Sequence, residues 1–208
     1  MGTATSSRAI LGLAALALAA SGCATEAGMR ASSAATISHV RIVSAQAAAG
    51  GFAWLRSNPA PAGWRLARIA TGAVMPYPPG WQRVAGDAGT ATAVLQGAHH
   101  DYLGYLNLTP RQGDETLRSW ASFRVEHNVA EGDRAVRTLA SASGLRFRSG
   151  RGSCVQDSYT TSSGVRFVEL ACLAAGRNVT SVIVGAAPPR EWVRMSPLIE
   201  LAISAFTT

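Results

Sequence analysis

His99, His100 and Asp101 stand side by side in the sequence. Imidazole and carboxylate are sound ligands for zinc and its neighbours in the first transition row. Adjacent residues on an extended chain point to opposite sides, so these three cannot close a metal site by themselves. A third or fourth ligand would have to come from far along the chain, with His127 and Glu131 the obvious donors. The other reading is a solvated hairpin loop with two exposed imidazoles. On that reading the chain holds no metal and needs no cofactor. The stretch EHNVAEGD, 126–133, gathers Glu126, Glu131, Asp133 and His127. Paired carboxylates can move protons in acid–base catalysis. At the end of an exposed helix they are simply solvated surface. Cys154 could be a nucleophile beside a histidine, or it could pair with Cys172. No Gly-x-Ser-x-Gly elbow occurs, and no Gly-rich phosphate loop precedes a helix. The chain therefore reads as non-enzymatic, with a hydrolase or metalloenzyme of unrecognised site as the alternative. Asn107-Leu-Thr and Asn178-Val-Thr match glycosylation sequons and read as ordinary strand sequence.

A third cysteine has a different context. Residues 9–20, AILGLAALALAA, are apolar and uncharged, follow Arg8, and give way to Ser-Gly-Cys23. Twelve helical residues rise about 18 Å, too little to span a hydrocarbon core of ~30 Å. A charged start, a short apolar middle and a small-residue end describe an export signal over 1–22. The end resembles the lipobox of bacterial lipoproteins, with Ala20 where that family prefers Leu. The resemblance implies that Cys23 receives a diacylglyceryl group with palmitate-type chains and becomes the first residue of the mature protein. The alternative is an ordinary secretory signal and a secreted protein. Lipidation implies an anchor on the extracytoplasmic face of the cell membrane. It also leaves Cys154 and Cys172 as a pair in an oxidising compartment.

Charge excludes one class of partner. All 19 cations are arginine, and they are scattered singly. Losing residues 1–22 removes Arg8 alone, leaving 18 arginines against 12 acids, a net charge of +6 over 186 residues. Without a basic run there is no nucleic-acid footprint. A weak attraction to anionic membranes is expected.

These groups must be positioned by a small set of elements. Residues 23–50 are small, polar and aperiodic, and read as a flexible tether of r.m.s. span roughly 26–31 Å. Within it, 37–46 could form a short element that docks. A single domain follows over 51–208. Pro-Ala-Gly-Trp64 and Pro-Pro-Gly-Trp81 each announce a turn and a strand. TATAVLQ (90–96) and YLGYLNL (102–108) form a hairpin around the histidines. Leu117, Trp120 and Phe123 mark a helix over about 114–130, with Asp114 and Glu115 at its positive end and Gly132 as its stop. Further strands follow from RAVRTLAS to NVTSVIVG. A second helix over about 189–206 carries Trp192, Met195, Ile199, Ala202, Ile203 and Phe206 on one face, with Pro197 kinking it or restarting it at Ser196. Trp54, Trp64, Trp81, Trp120 and Trp192 could line a pocket or pack the core.

The cysteines set a register. In CVQDSYTTSSGVRFVELAC a three-residue loop at 162–164 opposes Thr161 to Val165, so partners have indices summing to 326. Tyr159 then faces Phe167 and Cys154 faces Cys172. A disulfide between them follows; two buried free thiols are the alternative.

Strands, helix, strands, helix implies an α+β fold, an antiparallel sheet with two main helices packed on it. With YPPGWQRV at one end and a closing helix ending in SAF, the order of elements over about 62–206 resembles PsbP-like domains. These include the extrinsic photosystem protein and many bacterial lipoproteins. The resemblance implies binding of partners or ligands rather than catalysis. It carries over no catalytic residue, and nothing here suggests photosynthesis. The expected function is a cell-envelope lipoprotein that binds a partner protein or an apolar ligand at the membrane surface; a structural accessory subunit without ligand is a further alternative.

Overall fold

Two similar turns set up the start of the domain. Gly63 and Gly80 both have positive φ, 79° and 85°. They allow the amides of Trp64 and Trp81 to donate back to Pro61 and Pro78 over 3.2 and 3.3 Å. A glycine with φ near +80° in the third position is what a type II turn requires. A strand follows each: β1, Arg65–Arg68, and β3, Gln82–Val84. Trp81 is fully buried, and Trp64 packs on the core from its edge. The structure is a computed structural model and describes residues 50–98 and 101–208. The leader, Cys23, the segment 37–46, and His99 and His100 lie outside the described residues.

The antiparallel partner of β1 is β2, Val74–Tyr77, in a two-stranded sheet. The main sheet has seven strands in the order β3-β4-β5-β9-β8-β7-β6, all antiparallel. Its further members are β4, Ala91–Gln96; β5, Tyr102–Pro110; β6, Arg134–Phe147; β7, Gly150–Thr160; β8, Arg166–Ala175; and β9, Thr180–Ala187. After β5 the chain crosses one face of the sheet through helix α1, Trp120–Ala130, to reach β6 at the far edge. It then returns strand by strand until β9 pairs with β5. Helix α2, Pro189–Ala205, covers the opposite face. This is the expected α+β arrangement.

Strand alternation divides the core into two layers. Leu106, Leu108, Cys154, Leu170, Cys172 and Ile183 pack with Met195, Ile199 and Ile203 of α2. Val155, Ala171, Leu173, Val182 and Val184 pack with Trp120 of α1. Gly185 lets α2 lie close, because a Cβ there would strike Ile199 and Leu106.

Three local expectations have clear outcomes. The β7–β8 register pairs Cys154 with Cys172 and Tyr159 with Phe167. Thr161 donates to the carbonyl of Val165 over 2.8 Å, and Gly164 has φ 87°. The two sulfurs are 2.08 Å apart in a disulfide. The first helix begins six residues later than 114. Glu115 turns back to accept from the amides of Gln112 and Gly113, both at 2.8 Å, and this holds 112–115 in a turn. No acid therefore occupies the first turn of α1. The second helix passes through Pro197 without restarting at Ser196. Proline frees the carbonyl four residues before it; that residue is Val193, 85% exposed, so the freed carbonyl is on the solvent side of α2.

Candidate functional site

Helix α1 lies over β6, β7 and β8, with β5 and β9 at its margin. A cleft of about 370 Å³ runs along this margin. One wall is α1. Residues 120, 123 and 127 share a face by helical spacing, and their rings stack nearly parallel. Trp120 and Phe123 have centroids 5.9 Å apart at 20°, Phe123 and His127 6.0 Å apart at 13°. The floor is Tyr105 and Asn107 of β5 with Val182 and Val184 of β9. Asp87 and Gln112 complete the rim. His127 Nε2 faces Glu131 Oε1 at 3.1 Å, one turn further on.

Beneath α1 lies a charged cluster that no motif announced. Arg124 forms a two-pronged ion pair with Glu169 of β8, Nε to Oε1 at 2.6 Å and Nη2 to Oε2 at 2.9 Å. Tyr159 and Tyr105 donate to the same Oε2 over 3.2 and 3.4 Å. Their hydroxyls are 3.3 Å apart. Burial works against the charge on Arg124, but the Glu169 carboxylate outweighs it and raises its pKa. Burial first, then Glu169, raises the phenols of Tyr105 and Tyr159. Asp157 sits directly opposite Glu169 across the β7–β8 ladder and is wholly buried. Neither of its carboxyl oxygens has a hydrogen-bond partner among the described residues. Burial, reinforced by Glu169, pushes it up to about 8. At neutral pH it is therefore largely an uncharged acid. Burial also raises Asp133, with Glu131 and Glu169 adding to the effect.

The register that aligns the cysteines also aligns these carboxylates, since 157 and 169 share the sum 326. Two acids opposed within a buried ladder need a cation or a proton. That was the signal available in the sequence. The identity of the cation was not, because Arg124 is 45 residues from Glu169.

The other candidates are dispersed. Asp101 pairs with Arg190 at 3.2 Å and lines a separate recess with Tyr102 and Pro188. It does not share a recess with His127 and Glu131. Among the described residues no group of three or more His, Cys, Asp or Glu is placed to hold a metal ion. Of the tryptophans, Trp81 and Trp120 are fully buried; Trp54, Trp64 and Trp192 pack on the core from outside. Trp120 alone of the five also lines the α1 cleft, and its indole donates to the carbonyl of Ala171 over 2.8 Å. Asn107 accepts from Thr92 at 3.2 Å on the cleft floor, and Asn178 is exposed in the β8–β9 turn. No described helix is long and apolar enough to cross a membrane.

No protein-family model matches this sequence, and no curated protein does. Solved structures do resemble it. Cyanobacterial PsbP (CyanoP) from Synechocystis is 15% identical, with 71% of this chain and 94% of that chain covered and a TM-score of 0.50. The Saccharomyces cerevisiae Ran-binding protein Mog1p is 12% identical, covering 69% and 87%, at 0.45. LpqN, involved in cell envelope biogenesis of Mycobacterium tuberculosis, is 10% identical, covering 69% and 89%, at 0.45. At such identities the likeness concerns architecture alone. The domain has a PsbP-like α+β fold.

Proposed function

We propose that this chain is a cell-envelope lipoprotein, anchored through Cys23, that binds a partner protein or an apolar ligand without catalysing a reaction. The α1 cleft is its binding site. The observation that carries this reading is the parallel stack of Trp120, Phe123 and His127 above a floor of Tyr105, Val182 and Val184. Phe123, His127 and Tyr105 are the partly exposed rings of the cleft, backed by the buried Trp120, Val182 and Val184, while Asn107, Gln112 and Asp87 orient whatever enters. A few polar groups in an aromatic cleft of a few hundred Å³ is the usual composition of a ligand site. The buried charges support binding over catalysis. Arg124 and Glu169 satisfy each other, and Asp157 is fully buried and does not line the cleft.

Native protein purified from membranes tests both halves. Intact mass should place acyl chains on an amino-terminal Cys23, and an unmodified start elsewhere would remove the anchor from the proposal. A protein or lipid that co-purifies with the wild type should be lost from Phe123→Ala, which keeps its melting temperature within a few degrees. Equal recovery with both forms would remove the cleft from it.

A further inference from the structure

Arginines scattered in sequence are gathered at one end of the sheet. The hairpin joining β6 to β7 turns at Arg148 and Ser149, after its last pair, Phe147 with Gly150. The preceding pair sets Arg146 directly opposite Arg151. Like charges opposed across a ladder destabilise a sheet. The β8–β9 turn brings Arg177 alongside, and it shares a recess of about 520 Å³ with Arg148, Ser149 and Gly72. Arg68 reaches the rim of that recess, its Nη1 donating to the carbonyl of Gly72 over 3.0 Å. A second recess of about 310 Å³, between Arg146, Arg151 and Ser57, lies on the other flank of the same turn. No Asp or Glu lines either recess. All five guanidiniums are on exposed residues, and none makes an ion pair among the described residues. At the opposite end of the sheet Arg190 pairs with Asp101 and Arg194 with Glu191, while Arg134, Arg137 and Arg166 are exposed and make no ion pair among the described residues.

We infer that this basic end, Arg68, Arg146, Arg148, Arg151 and Arg177, is a docking surface for the anionic phospholipid headgroups of the membrane. The inference rests on the reading that Cys23 anchors the chain there. Charge complementarity is the first argument, since guanidinium groups grip phosphate through paired N–H donors. The second is the path of the chain. Residues Gly50–Phe52 lie against β6, where a Cβ on Gly51 would come within 3.2 Å of Ala140, and Ser57 lines the Arg146–Arg151 recess. The described chain thus runs from the middle of β6 at Gly51 to the basic turn at Ser57, six residues further on. Anchor and arginines would act on one bilayer together, holding the domain upright on its basic end. The cleft beside α1 would then stay open along its flank.

Vesicle sedimentation tests this on the mature chain with Cys23→Ser, which carries no lipid. The outcome is therefore independent of whether Cys23 is acylated in the cell, which intact mass decides separately. Each arginine near an anionic surface is worth about fivefold in partitioning. The chain should bind vesicles of phosphatidylcholine with phosphatidylglycerol, not of phosphatidylcholine alone, and release as salt rises. Replacing Arg146, Arg148 and Arg151 together by Gln should weaken binding on the order of a hundredfold. Replacing Arg134, Arg137 and Arg166 at the opposite end removes the same charge and should cost less than about threefold if only the basic end touches the surface. Three results would overturn the inference: no binding by the wild type, equal losses in the two triple variants, or binding to an acidic protein but not to vesicles. Circular dichroism melts of both variants show whether each loss comes from a folded domain.

Discussion

Replacing Asp157 by Asn tests whether two carboxylates really share the buried ladder. Asp157 is fully buried opposite Glu169, and its pKa stands at about 8 against an ordinary 3.8. The sign follows from proton counting. Between those values the folded chain holds a proton on Asp157 that the unfolded chain has released. Stability from this group is complete below the unfolded value and is lost as pH rises through the folded one. One proton corresponds to about 1.4 kcal/mol per pH unit. From about pH 5 to 8 the wild type should lose roughly 4 kcal/mol relative to Asp157→Asn, which cannot titrate there. Groups remote from Asp157 are common to both chains and cancel in the difference. Urea unfolding followed by tryptophan fluorescence at several pH values gives the two curves. The variant should gain on the wild type steadily as pH rises from about 5 to about 8. Parallel curves would refute the reasoning, because they would mean that Asp157 is ionised in the fold.

Arg124→Met should destabilise the domain by about 3–5 kcal/mol, because it leaves Glu169 buried without its cation. Adding Glu169→Gln should restore most of that loss, and a double variant as unstable as the single one would show that the charge was not the cause. Opening the Cys154–Cys172 bond, which closes a loop with a sequence separation of 18, should cost about 3 kcal/mol in urea melts run with and without reductant. Recovery of both cysteines as alkylated thiols from unreduced native protein would contradict the bond itself.

Much of the main sheet was legible because its rules are local. A Ser-Ser-Gly centre and an index sum aligned Cys154 with Cys172 and Tyr159 with Phe167. The same sum aligned Asp157 with Glu169, although charge opposition inside a sheet has no familiar motif to attract notice. The apolar face of α2 was legible from its period, and the stop of α1 from Gly132, whose φ is 90°. Element ends were less so. Asp114 and Glu115 fit a helix start by charge, but Glu115 finds two backbone amides nearer at hand. Pro197 fits a helix break, but the carbonyl it frees lies on the solvent side of α2.

What periodicity and turn chemistry settle is the type of each element and the pairing of neighbours joined by short turns. They depend on contacts within a few residues, where backbone sterics and side-chain alternation dominate. Which strand lies beside which non-neighbour is decided by the crossover of α1 and the return of β9 to β5. That choice places Arg124 over Glu169, opens a cleft beside Trp120, Phe123 and His127, and brings Arg68, Arg148 and Arg177 to one end of the sheet. These groups are tens of residues apart in the chain. Their interaction free energy exists only once the sheet is assembled, so only the tertiary structure could bring them together.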